Sequence, residues 1–112
     1  MKGKAKIRGG VFTVVWEFQV PARQRRAFEN TYGPVGAWAQ LFCTGEGYIR
    51  TELLRDREMP GRYLTIDYWK SRRAFVTFKE RSHAEYAALD KTCAAFTEEE
   101  RIVGEFENLD SR

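Results

Sequence analysis

Residues 48–69 read YIRTELLRDREMPGRYLTIDYW, and this stretch decides the fold. Tyr48–Arg55 and Arg62–Trp69 are rich in aromatic and branched residues, as strands are. Between them, Asp56–Gly61 holds Pro60 and Gly61, the chemistry of a hairpin loop. If Arg55 pairs with Arg62, Arg50 falls opposite Asp67, Glu52 opposite Thr65, and Tyr48 opposite Trp69. One face then collects Ile49, Thr51, Leu53, Leu64, Ile66 and Tyr68, which suits burial under helices. The other carries Tyr48, Tyr63, Trp69 and Leu54 among Arg50, Glu52 and Asp67. This register separates apolar from polar side chains and sets Arg50 against Asp67 as a charge pair.

Upstream of the hairpin, Val11–Val20 alternates as a strand, with Phe12, Val14, Trp16, Phe18 and Val20 on one face. Pro21 suits the first turn of a helix, in which Phe28 and Tyr32 lie four apart; Gly33-Pro34 ends it. A short helical piece, Val35–Phe42, puts Trp38 and Phe42 on one face, and Gly45-Glu46-Gly47 turns the chain into the hairpin. Downstream, Ser71 is placed to cap a helix carrying Phe75 and Phe78. Ser82-His83-Ala84-Glu85 has the pattern of a capping box, so the helix is expected to restart there and continue through Tyr86, Leu89, Cys93 and Phe96. Arg101–Phe106 reads as the last strand.

The order is β-α-β-β-α-β: an α+β, ferredoxin-like unit with a four-stranded antiparallel sheet and its helices on one side. It forms one domain over residues 11–107, with a flexible basic tail at residues 1–10 and a polar tail at residues 108–112. The aromatic surface expected opposite the helices calls for a partner sheet or a ligand.

Charge and composition exclude several classes. The sequence pI is about 9.0, but Lys2, Lys4, Lys6 and Arg8 account for the excess. Without those four, the 19 basic residues fall to 15 against 16 acidic ones. The folded part is near neutral and no track for phosphates. An RNA-binding sheet of this topology wants a glycine and alternating aromatics in its third strand. Arg62–Trp69 has no such glycine, and Asp67 and Glu52 would lie under the phosphates. No nucleic-acid partner is expected. No apolar run approaches the roughly 20 residues of a membrane span. Glu17 and Gln19 interrupt the one run that imitates a signal peptide, and a cytoplasmic setting follows by default. Cys43 and Cys93 are expected as free thiols, and a chain with one histidine and no CxxC pair offers no metal site.

The residues Tyr32-Gly33-Pro34, Trp38, Leu41-Phe42, Gly47-Tyr48, Thr51–Leu54, Arg62–Asp67, Trp69 and Ser71 resemble those of the antibiotic biosynthesis monooxygenase domain family, within the dimeric α/β-barrel superfamily. The resemblance spans roughly residues 11–107. It implies a homodimer whose sheets face each other, with Tyr48, Arg50, Glu52, Tyr63 and Asp67 at the interface. It also implies a ligand cavity between the helices and the sheet of each subunit.

In the oxygenase branch of that family the implied reaction uses no metal, flavin or other cofactor: an acidic aromatic such as an anthrone or quinol loses a proton and passes an electron to dioxygen. Such a site needs an aromatic pocket, a proton acceptor and hydrogen-bond donors for an oxyanion. Trp16, Phe18, Phe42, Phe75, Phe78 and Tyr86 are candidate lining. Tyr32, Trp38, Trp69 and His83 are candidate catalytic donors, and His83 or Asp67 a proton acceptor. Each also has a plain structural role: core packing for the aromatics, a helix-start position for His83, pairing with Arg50 for Asp67. The haem-degrading branch fails residue by residue. With its usual Trp-Lys-Ser laid over Trp69-Lys70-Ser71, Phe78 occupies the tryptophan position and Ala88 that of the iron-ligating histidine. The region of Trp16 and Glu17 lacks the expected asparagine. The expected function is therefore oxidation of a small aromatic substrate, with non-catalytic binding of a small molecule by a homodimer as the alternative.

Overall fold

The computed structural model of the protein describes residues 11–109; the basic segment at residues 1–10 and residues 110–112 lie outside the described residues. Four strands, β1 (Phe12–Gln19), β2 (Tyr48–Arg55), β3 (Arg62–Trp69) and β4 (Glu99–Glu107), form one sheet in the order β2-β3-β1-β4. All neighbouring pairs are antiparallel. Between β1 and β2 run a 3-10 turn (Ala22–Gln24), α1 (Arg25–Tyr32) and α2 (Ala37–Phe42). Between β3 and β4 run α3 (Arg72–Arg81), α4 (His83–Cys93) and a second 3-10 turn (Ala94–Phe96). This is the expected ferredoxin-like order, with both hairpin strands at the expected bounds.

Local chemistry sets the element ends. Gly47 and Gly61 adopt φ of +95° and +88°, the left-handed region in which a side chain is strained. A Cβ on Gly47 would also lie 2.7 Å from that of Ala74, so the turn into β2 sits tight against the start of α3. Ser71 caps α3 as expected, its Oγ accepting from the Ala74 N–H at 3.1 Å. The helix also restarts where expected, but not by a capping box. Ser82 has φ −105° and ψ 24°, not the extended conformation of a cap, and its side chain accepts no capping bond. The backbone bridges the junction instead: Ser82 N–H donates to Phe78 C=O and Tyr86 N–H to Ser82 C=O, each at 2.8 Å. Asn108 is tied to the sheet, its N–H donating to Val11 C=O at 2.9 Å.

The hairpin register departs from expectation in one place, with a large consequence. Tyr48 does face Trp69, but the pairing shifts between Tyr48 and Arg50, so Thr51 faces Asp67, Leu53 faces Thr65 and Arg55 faces Tyr63. A bulge adds one residue to one strand, and a one-residue slip moves side chains to the opposite face. The bulge turns Thr51 to the face of Asp67 and Arg50 away from it. Which β3 face is covered is set by β1, where Phe12 faces Trp69, Val14 faces Asp67 and Phe18 faces Tyr63: Tyr63, Thr65, Asp67 and Trp69 lie beneath the helices, all buried, whereas Leu64, Ile66 and Tyr68 turn to the open face. The expected sharing of one open face by Tyr48, Arg50, Glu52, Tyr63 and Asp67 is corrected: only Arg50 and Glu52 lie there. Arg50 does not meet Asp67. Its guanidinium lies 4.0 Å above the Tyr68 ring and 3.3 Å from Glu52.

β1 keeps its predicted face. Phe12, Val14 and Phe18 are buried beneath the helices with Phe28, Tyr32, Trp38, Phe42, Phe78 and Cys93, and Trp16 packs against them. Phe28 stacks on Tyr32 with ring centroids 4.2 Å apart. Along the open face, Val15, Leu54, Leu64, Ile66 and Phe106 remain at least partly accessible, with Leu54 44% and Phe106 48% exposed.

Candidate functional site

Between the sheet and the helices lies a cavity of about 200 Å³. β1 supplies Trp16 and Phe18, α1 supplies Tyr32, and α2 supplies Trp38 and Phe42. Tyr86 and Asp90 come from α4, Lys79 from α3 and Glu100 from β4. Its remaining lining is polar: Thr51 from β2, and Thr65 and Asp67 from β3. The aromatic wall is held by its own packing. Phe18 meets Tyr32 edge-on at 5.0 Å, Trp38 meets Tyr86 edge-on at 5.0 Å, and Trp38 lies 5.8 Å from Phe42. The Lys79 ammonium lies 4.5 Å from the Tyr86 ring centroid, a cation over an aromatic face.

Asp67 dominates the chemistry of this space. It is 7% exposed and receives one hydrogen bond among the described residues, from the Thr51 hydroxyl to Oδ1 at 2.7 Å. No cation pairs with it there. Burial disfavours the carboxylate and the Thr51 bond only partly offsets this, so the carboxyl is pushed up from 3.8 to about 6. Burial likewise pushes the Tyr86 phenol up to about 12 and Tyr32 further. Both phenols stay protonated donors at neutral pH. The Cys93 thiol, beneath the cavity wall beside Tyr32, is also pushed up by burial; it has no thiolate character to offer.

Six of the expected lining and donor residues meet here: Trp16, Phe18, Tyr32, Trp38, Phe42 and Tyr86. Others do not. Trp69, Phe75 and Phe78 form a solid aromatic cluster beside the cavity. Trp69 is fully buried, with ring centroids 5.6 Å from Phe75 and 5.1 Å from Phe78. His83 is exposed at the first turn of α4 and takes no part in the lining. Tyr63 is buried under α1, where its hydroxyl donates to Glu29 at 2.5 Å. Tyr48 lies on the covered face, packed on Phe42 and Trp69. The indole N–H groups of Trp38 and Trp69 are both buried without a hydrogen-bond partner among the described residues. Sequence reasoning missed Thr51 and Thr65. Their signal is the run Tyr63-x-Thr65-x-Asp67-x-Trp69 on one face of β3, where two small or polar side chains separate two large ones.

Among the described residues, no group of three or more His, Cys, Asp or Glu side chains is placed to hold a metal ion, and no helix is long and apolar enough to cross a membrane. A four-stranded antiparallel sheet with helices on one side and an aromatic cavity between the layers defines a small α+β domain of ferredoxin-like topology. The family model for antibiotic biosynthesis monooxygenases matches residues 11–88, and the chain belongs to that family. SnoaB, a cofactor-independent oxygenase from Streptomyces nogalater, superposes with a TM-score of 0.67 at 23% identity, covering 91% of this chain and 96% of SnoaB. A candidate antibiotic biosynthesis monooxygenase from Caulobacter crescentus CB15 superposes with a TM-score of 0.72 at 16% identity, over 90% of this chain and 92% of that one. A conserved protein from Methanosarcina mazei Go1 gives 0.65 at 17% identity, over 87% and 91%. No curated protein matches the sequence.

Proposed function

We propose that the protein is a monooxygenase that oxidises a small, acidic aromatic compound of the anthrone or quinol type in the cavity above Asp67, without a metal or flavin. The observation that carries this reading is the buried Asp67 carboxyl, pushed up to about 6 and paired with no cation among the described residues, in a cavity walled by six aromatic side chains. A general base works best when its pKa lies near the operating pH. Family membership and the likeness to SnoaB support the choice of oxygen chemistry. At about 200 Å³ the cavity lies below the roughly 300–1,000 Å³ of drug-sized sites, so the substrate is small.

The reaction balances without an added reductant. With an anthrone-type substrate, Asp67 takes a proton from the activated CH2, and the carbanion gives one electron to dioxygen. The resulting radical and superoxide combine into a peroxide, which leaves as water as the carbon becomes a carbonyl. One CH2 and one O2 thus yield one C=O and one H2O. The phenols of Tyr32 and Tyr86 are the donors for the developing oxyanion.

The protein would work as a homodimer. The open face, with Val15, Leu54, Leu64, Ile66, Tyr68 and Phe106, is too apolar to be left to water, and the family resemblance supplies a second sheet as its cover.

The test is oxygen uptake by metal-stripped protein with a panel of anthrones and quinols. Saturable uptake is expected, with kcat/KM falling on the acid side about a midpoint near 6. Asp67→Asn should lower it by about 100-fold or more. An Asp67→Asn protein as active as the wild type overturns the assignment. Ligand-induced stabilisation without oxygen uptake across the panel would replace it with a binding function.

A further inference from the structure

We infer that Thr51 and Tyr48 are positioning residues for Asp67, joined into one hydrogen-bond chain by the bulge in β2. The inference rests on the reading of Asp67 as the base, but the chain has its own geometry. Tyr48 Oη lies 2.7 Å from Thr51 Oγ1, and Thr51 Oγ1 lies 2.7 Å from Asp67 Oδ1. An ionised carboxylate only accepts, so the single Thr51 proton points at Asp67. Tyr48 must then be the donor to Thr51. The polarity of the chain is thus fixed by the charge state of its far end. When Asp67 takes up a proton, it can donate back to Thr51 and the chain can reverse.

The bulge makes this possible. Residues three apart in a regular strand point to opposite faces. Tyr48 and Thr51 share the covered face because the register shifts between Tyr48 and Arg50. Without that extra residue, Tyr48 and Thr51 could not both reach beneath the helices. Bulges re-aim side chains in this way beside active sites. Thr51 is 4% exposed and is the sole donor to this carboxylate among the described residues, which occupies Oδ1 and leaves Oδ2 as its open acceptor.

The other titratable groups around this space are Lys79 from α3, Tyr86 and Asp90 from α4, Glu100 from β4 and Tyr32 from α1. None is hydrogen-bonded to Asp67. Thr51 therefore provides the one direct contact that favours the ionised form, and Tyr48 strengthens it by polarising the Thr51 hydroxyl.

The decisive measurement is the titration of the Asp67 carboxyl carbon by NMR in the full chain, which needs no substrate. Thr51→Val should raise its midpoint by about one pH unit. Tyr48→Phe should raise it by less, in the same direction, and Thr51→Ser should restore it. The acid limb of kcat/KM should move by the same amounts. An unchanged Asp67 midpoint in Thr51→Val overturns the inference; if that variant does not fold, an unchanged midpoint in Tyr48→Phe does so. Midpoints that move while no variant consumes oxygen leave the chain's hold on Asp67 standing and sink the oxygenase reading instead.

Discussion

The covered face of the sheet holds two aromatic regions side by side, one solid and one hollow. Around Trp69 the rings of Phe42, Tyr48, Phe75 and Phe78 stand 5.1–5.8 Å away, mostly edge-on, with Phe12 packed on Phe75. Four residues earlier on the same strand the covered position is Thr65, and between them is Asp67. There the rings of Trp16, Phe18, Tyr32, Trp38 and Tyr86 stand around empty space. Both regions have comparable aromatic material; the size and polarity of two β3 side chains separate a core from a site. Fully packed aromatics maximise dispersion and apolar burial, whereas a threonine and a carboxylate give up both for a place to put a ligand.

Substitutions can break that contrast. The largest effect belongs to the solid region: Trp69→Ala should cost about 3–5 kcal/mol of stability in chemical denaturation, and an unchanged midpoint would mean the cluster is not the core it resembles. Next is Asp67→Asn. The folded protein holds the Asp67 proton more tightly than the unfolded chain, so its contribution to stability is present below about pH 4. It is lost as pH rises through the folded midpoint near 6. Removing the charge should therefore stabilise the protein by about 3 kcal/mol at pH 8 and hardly at all at pH 4. Equal effects at both pH values would show that the carboxyl is not perturbed. A buried carboxyl that costs stability is the trade expected of the base proposed above.

A paired test of filling sharpens the comparison. A methyl at Gly45 would meet Phe78 Cδ1 at 2.8 Å and Trp69 Cζ3 at 3.1 Å, so Gly45→Ala should cost about 1–3 kcal/mol by overpacking. Thr65→Leu adds more volume but grows into the cavity. Its stability should change by less than about 1 kcal/mol, while ligand-induced shifts in Tm disappear. The reverse ranking would place the void elsewhere. Smallest of all, His83→Ala should change stability by no more than about 0.5 kcal/mol and leave oxygen uptake as it was, since His83 is exposed and away from the cavity lining.

Much of this was legible in the sequence. The bounds of β2 and β3, the Ser71 cap, the break at Ser82 and six of the cavity's aromatic residues follow from alternation, turn chemistry and helical spacing. The site's polar side did not. A bulge has no signature in residues 48–50 that periodicity can read, and an unbulged ladder sets Arg50, not Thr51, on the face of Asp67; that this face is the covered one follows from pairing with β1, where Val14 faces Asp67. Trp69, Phe75 and Phe78 lie beside the cavity and not in its lining, which was not legible for a different reason: ring size and hydrophobicity are the same for a pocket wall and a core. Only the neighbours of each ring distinguish the two.

The sequence by itself determined the element order, the antiparallel hairpin, the covered face of β1 and the family, because these depend on local periodicity and on residue types at fixed offsets. The tertiary structure alone decided which β3 face lies under the helices, which aromatics enclose a void, and that Asp67 is buried against Thr51. Those are properties of register and packing between distant segments, and a single added residue in β2 decides that Thr51 rather than Arg50 meets Asp67 without altering any local preference of the chain.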